Sequence, residues 1–273
     1  MGGHTGCPSM LITAGKRALG AFASTVGVLI LCGLALGFLE GKSTAFLYGL
    51  LGWTGIVLTG FAGTPVHELG HYLMCKLFGF RVLQVALFRP VAGRADGVLG
   101  YVRYSYDPGS LWQRLGCFFV GIAPMVLGVA AILLILRLLT PEAFRDARDS
   151  LSRSIRQNNG SPAALGGALS GFFSSLLRLR GWGILRGLTS LYLAISISTH
   201  MTLSPADLQG ASAGLLVVGG CCLLFGLVTA LLGIKITPLL KKTAAALAVF
   251  LGIGLFFNLL SLLLLGGLFF LFH

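Results

Sequence analysis

Charge is what this chain has least of. Among 273 residues only eight are Asp or Glu, and all charged types together reach 10%. A soluble domain carries roughly a quarter, so an ordinary solvated globule is excluded. Cysteine frameworks are missing too. The six cysteines (Cys7, Cys32, Cys75, Cys117, Cys221, Cys222) form no CxxC pair, and four lie in apolar stretches. That leaves neither a disulfide framework nor a cysteine-based metal site to read. The net charge of +12 comes without a basic helix or zinc-finger spacing, so no nucleic-acid partner is expected. Lys and Arg at the borders of apolar runs fit anionic headgroups and topology instead. No internal repeat is visible.

What is present is apolar. Hydrophobic residues make up 56% of the chain, with 40 glycines, which is the balance of a polytopic membrane protein. Several runs reach the ~20 residues needed to cross the hydrocarbon core. The pattern predicts an all-α, integral, multi-pass protein of a plasma or inner membrane, with about six transmembrane helices. Helix 1 is expected over 19–39, behind Lys16 and Arg17. A cleaved signal peptide is an alternative, but the run is long enough to remain as a helix. A polar link is expected at Glu40–Ser43. The run 44–78 is roughly 50 Å long as a helix, too long for one straight crossing. Gly60, Gly63, Thr64 and Pro65 lie inside it, with Thr64 a candidate N-cap and Pro65 a first-turn residue.

Residues 80–112 read differently. Val82–Phe88 and Tyr101–Tyr106 favour strands, with Gly93, Asp96 and Gly97 between them, so a membrane-associated β-hairpin is expected. Helix 3 follows at 115–139. Then come a polar link at 140–160, an amphipathic surface helix at 163–178, helix 4 at 182–201, helix 5 at 209–233 and helix 6 at 243–271. Three segments result: 1–43 as an N-terminal helix and link, 44–233 as the core, and 234–273 as a C-terminal helix.

The few titratable groups are unevenly placed. Six acids (Glu40, Asp96, Asp107, Glu142, Asp146, Asp149) fall in expected links or loops. Glu68 and Asp207 lie among apolar residues, where an unpaired carboxylate is costly. His67, His71 and His200 have similar surroundings. His67 and His71, at positions i and i+4, lie on one helix face, so both imidazoles can address a single metal ion. A catalytic zinc takes three protein ligands and leaves a fourth position open. Glu68, beside the first ligand, would be the general base for the attacking water. The chemistry read here is zinc-dependent peptide hydrolysis with one Zn²⁺. Two surface histidines flanking a solvated Glu would be the plain alternative, but Val66, Leu69, Tyr72, Leu73 and Met74 leave no solvated face. Gly70 keeps the opposite side of that turn without bulk and permits close helix packing.

Asp207 is the candidate third ligand. Ser204-Pro205-Ala206-Asp207 also fits a capping box, which alone would explain an Asp there. The two roles are compatible. His200 is an alternative ligand or a neighbour that orients one. If helix 3 leaves the membrane face on which the motif helix ends, helix 4 returns to it. That brings His200 and Asp207 to the depth of His67 and His71.

Gly63–Gly79 with its His67-Glu68-Leu69-Gly70-His71 core, the hairpin after it, and Gly121-Ile122-Ala123-Pro124 resemble the site-2 protease family of intramembrane zinc metalloproteases. The resemblance covers about residues 60–215. The family usually carries an Asp-Gly pair, whereas here Gly210 stands three residues after Asp207, which marks a divergent member. No PDZ-like insertion is visible. The resemblance implies cleavage, within the bilayer, of transmembrane segments of single-span membrane proteins. Such a segment must unwind, and the strand with Tyr101, Arg103 and Tyr104 is a candidate to hold it by β-addition. The competing reading is a metal transporter or zinc-regulated channel without peptidase activity. That needs polar sites along several helices, and this sequence concentrates them at one.

Overall fold

The computed structural model of the chain describes residues 6–157 and 163–272. His4, His273 and the last residues of the expected 140–160 link fall outside them. The described chain is mostly helical. Helix α1 (Gly6–Phe22) passes through a π-helical turn (Ala23–Gly27) into α2 (Val28–Leu77). Strand β1 (Arg81–Ala86), a short helix α3 (Gly93–Asp96) and strand β2 (Tyr101–Ser105) follow. The rest is helical: α4 (Leu111–Leu139), α5 (Pro141–Gln157), α6 (Ala163–Leu176), α7 (Trp182–Ser198), α8 (Pro205–Leu231) and α9 (Thr237–Phe272). Among the described residues four spans are long and apolar enough to cross a membrane: Met10–Leu77, Leu111–Leu139, Asp207–Leu231 and Thr237–Phe272. Large apolar side chains such as Leu31, Phe38, Phe61, Leu134, Leu216 and Phe270 point outward from them, as a lipid-facing surface requires.

The first span departs from the sequence reading. Its 68 residues would extend about 100 Å as one rod, several times the hydrocarbon thickness. The break does not come at Glu40–Ser43, which stay helical. It comes at Gly52, where φ is 57°, a left-handed value open to glycine without steric cost. Hydropathy alone marks Glu40–Ser43 as a link, yet Gly41 and Lys42 face outward while Ser43 is buried. Thr64 is likewise no N-cap, and Pro65 lies inside α2. Membrane helices tolerate an internal proline where neighbouring helices enclose it. Here Gly63, just before it, sits against Ser196 of α7.

The hairpin forms where expected. β1 and β2 are antiparallel, with Val85 opposite Val102 and Ala86 opposite Tyr101, and a bulge at Leu83. Trp53 Nε1 donates to the Pro90 carbonyl at 3.0 Å, tying the hairpin's connection to α2. At its far end Gln113 Nε2 donates to the Gly79 carbonyl at 2.9 Å.

The expected link 140–160 is largely helical as α5. Ala143 is fully buried, while Arg148 and Asp149 are exposed. Segment 163–176 is not a lone surface helix, because it packs on α5 and carries Phe172 into the core against Phe257. A main core of Leu36, Met125, Val129, Ile132, Ile197, Met201, Leu251 and Phe257 joins α2, α4, α7 and α9. A smaller one under the hairpin holds Cys75, Phe78, Phe80, Cys117 and Val120. Burying such side chains contributes about 1.5–3 kcal/mol each in a soluble protein. In lipid the gain rests on close packing, so small residues matter more.

Candidate metal centre

The site lies where α2, α4 and the α7–α8 connection meet. One turn of α2 presents His67, Glu68 and His71. Gly70 places that turn against the α4 backbone, since a Cβ there would stand 3.1 Å from the Ala123 carbonyl carbon. Gly63 does the same toward α7, where a Cβ would clash with the Ser196 carbonyl oxygen.

Each imidazole is oriented by a main-chain carbonyl. His67 Nδ1 lies 2.7 Å from the His200 carbonyl oxygen. His71 Nδ1 lies 2.9 Å from that of Val120. A carbonyl only accepts, so both Nδ1 atoms carry a proton, and in the neutral imidazole each Nε2 presents a lone pair. The Val120 carbonyl is free for this because of Pro124, four residues on, which has no N–H to close the helical bond. His200 follows the end of α7, where carbonyls lack helical partners.

The two Nε2 atoms are 3.0 Å apart. Asp207 completes the set, with Oδ1 at 3.1 Å from His71 Nε2 and Oδ2 at 3.8 Å from His67 Nε2. The carboxylate also accepts from the Ser204 main-chain N–H at 2.9 Å. Ser204 Oγ in turn accepts from the Asp207 N–H at 3.1 Å. The capping box is therefore present, and the same side chain faces both imidazoles.

With both imidazoles neutral, three acceptors converge and could hold a cation between them. The chemistry fits zinc, since two imidazole nitrogens and one carboxylate oxygen form a three-ligand set with room for a fourth group. Taking one ligand atom from each residue, the three lie within 4.8 Å of one another, close enough to share one ion. Imidazoles whose other nitrogen donates to a carbonyl are the usual metal-binding pattern.

The His200 ring is not among the converging groups. Its Nδ1 donates to the Ser196 carbonyl at 3.0 Å, and its part in the site is its own carbonyl oxygen. Glu68 is buried at 7% exposure and, with His67, lines a cavity of about 330 Å³. Gly100, just before β2, closes on this side chain, as a Cβ there would be 2.8 Å from Glu68 Cγ.

The hairpin residues divide. Tyr104 packs on Phe80, with ring centroids 5.4 Å apart, and its hydroxyl reaches α8 near Gly210. Tyr101 lies between the guanidinium groups of Arg89 and Arg103. Arg103 is exposed and reaches Gln84 at 3.4 Å.

Sequence reasoning missed Glu40. It belongs to α2 and lines the same cavity, with its carboxyl beside Thr202. The available signal was its position between two long apolar runs. Pro124 was visible only as part of a resemblance, and the carbonyl it frees was not.

Comparison of the chain with protein-family models, with curated proteins and with solved structures finds no match.

Proposed function

We propose that this protein is an intramembrane zinc endopeptidase, a divergent relative of the site-2 proteases, which cleaves transmembrane segments of single-span membrane proteins. One observation supports this above the rest. Two carbonyl-oriented imidazoles and the Asp207 carboxylate converge beside a buried glutamate that lines a cavity. His67, His71 and Asp207 would hold the ion. Bound zinc would polarise the scissile carbonyl as a Lewis acid and make attack by water feasible near neutral pH.

The chain's own residues supply the remainder. Glu68 takes a proton from the attacking water and delivers it to the leaving amine as the C–N bond breaks. The capping box holds the Asp207 carboxylate in place. The low-dielectric surroundings strengthen each electrostatic contact. An unwound substrate segment would lie along the hairpin edge that carries Arg103.

Six crossings fit this reading. The parts of α2 before and after Gly52 provide the first two, and α4, α7, α8 and α9 the others. The 17 residues of α7 span about 26 Å as a helix, slightly short of a typical core, and would need local thinning or flanking arginines to cross.

The test is reconstitution with zinc and a panel of single-span substrates, comparing the parent protein with Glu68→Gln. Cleavage should disappear with the zinc content kept. Equal cleavage by both proteins would refute the mechanism.

A further inference from the structure

Glu40 is the acid of the cavity that this chemistry leaves unused. It stands across from His67 and Glu68, with Thr44, Thr59 and Thr202 also in the wall. Thr202 neighbours the carboxyl, and Oε2 is enclosed without a hydrogen-bond partner among the described residues. No Lys or Arg forms an ion pair with Glu40 among them, where the cationic side chains that pair with an acid are Arg89 with Asp96 and Arg148 with Asp149. A carboxylate embedded at a membrane helix is costly without a counter-charge and marks a functional position by default.

Charge counting then limits the ligand. With zinc bound, Asp207 and Glu68 together would balance the divalent ion, so Glu40 in its ionised form would leave one negative charge unmatched in the same cavity. The hydroxyls around it can accept further hydrogen bonds. We propose that Glu40, with Thr44, Thr59 and Thr202, forms a subsite for an alkylammonium group of the substrate, carried by a lysine side chain or by a free N-terminus near the cleaved bond. A neutral peptide N–H would satisfy Oε2 but would leave the charge uncompensated. The subsite rests on the peptidase reading for its substrate, although its ammonium chemistry can be probed alone.

The experiment uses the full-length, zinc-loaded protein. Propylammonium binding is measured for the parent, for Glu40→Gln and for Thr44→Lys, with zinc content confirming that each variant is folded. Thr44 lies one helical turn from Glu40, so Thr44→Lys supplies a built-in occupant. Both variants should lose propylammonium binding at least tenfold. Cleavage is then compared between peptides carrying Lys or norleucine near the cut, with free or acetylated N-termini. The parent should prefer one ammonium-bearing form at least tenfold, and Glu40→Gln should lose that preference. A preference for Lys alone assigns the side chain, and one for the free terminus alone assigns the terminus. Propylammonium binding independent of Glu40, or a substrate preference that Glu40→Gln retains, would overturn the proposal. If the parent cleaves no peptide while propylammonium binding still depends on Glu40, the peptidase reading fails and the subsite stands.

Discussion

Asp207 has two tasks that substitutions can separate. Its Oδ2 completes the helix cap with Ser204, and both carboxylate oxygens face imidazole nitrogens. Ser204→Ala removes the cap bond alone, which is worth about 1 kcal/mol, and should lower the melting temperature with zinc content near that of the parent. Asp207→Ala removes both functions and should leave the protein without stoichiometric zinc when metal is assayed after dialysis. Full zinc occupancy in Asp207→Ala would reduce the residue to a cap. Pro124 is tested the same way. Pro124→Ala restores an N–H that can reclaim the Val120 carbonyl from His71. Zinc affinity should fall about 10–100-fold, the usual effect of losing a partner that orients a ligand, with no loss of apo-protein stability. An unchanged zinc dissociation constant would show that His71 needs no such partner.

Elements meet at this site through residues without bulk. Gly63→Ala would drive a methyl group into the Ser196 carbonyl and the His200 ring, forcing α2 and α7 apart and carrying the His200 carbonyl from His67. Zinc affinity should fall in Gly63→Ala but not in Gly37→Ala, where a Cβ meets nothing within 4 Å; metal competition titrations compare the two. On β2, proline at Val102 removes a main-chain donor from the strand. Substrate turnover should drop with zinc retained, and turnover equal to the parent's would exclude β-addition there. The sequence made some of these elements legible and hid others. Alternating strand-formers separated by glycines marked the hairpin, and Ser204-Pro205-Ala206-Asp207 marked the start of α8, because both signals are local. The break at Gly52 was hidden since any of several glycines could have taken the left-handed φ. Glu40 read as part of a link because its neighbour in the fold, Thr202, lies far away in sequence.

For the whole molecule, the metal would act as a brace. The converging groups come from α2 and α8, and the carbonyls that aim the imidazoles come from α4 and the connection after α7. An ion bound to the folded state alone stabilises it by about 2.7 kcal/mol at a hundredfold excess over its dissociation constant. Chelation should therefore lower the apparent thermal midpoint of the purified protein by several degrees, and re-addition of zinc should restore it. A midpoint indifferent to chelator would argue against a bound ion. On the proposed reading His67-Glu68-Leu69-Gly70-His71 would supply the chemistry from five adjacent residues, and the helix packing that brings residue 207 to residue 71 lets them work together.

The dependence of His67 on the His200 carbonyl and of His71 on the Val120 carbonyl also sets a clock on biosynthesis. A nascent chain exposes its complete His-Glu motif long before Val120, His200 and Asp207 have emerged and docked. It should stay inert toward neighbouring membrane proteins, and toward itself, during that interval. A chain ending at Leu203 should accordingly hold zinc no better than a lone i,i+4 histidine pair, and tight stoichiometric zinc in that truncated chain would remove the safeguard.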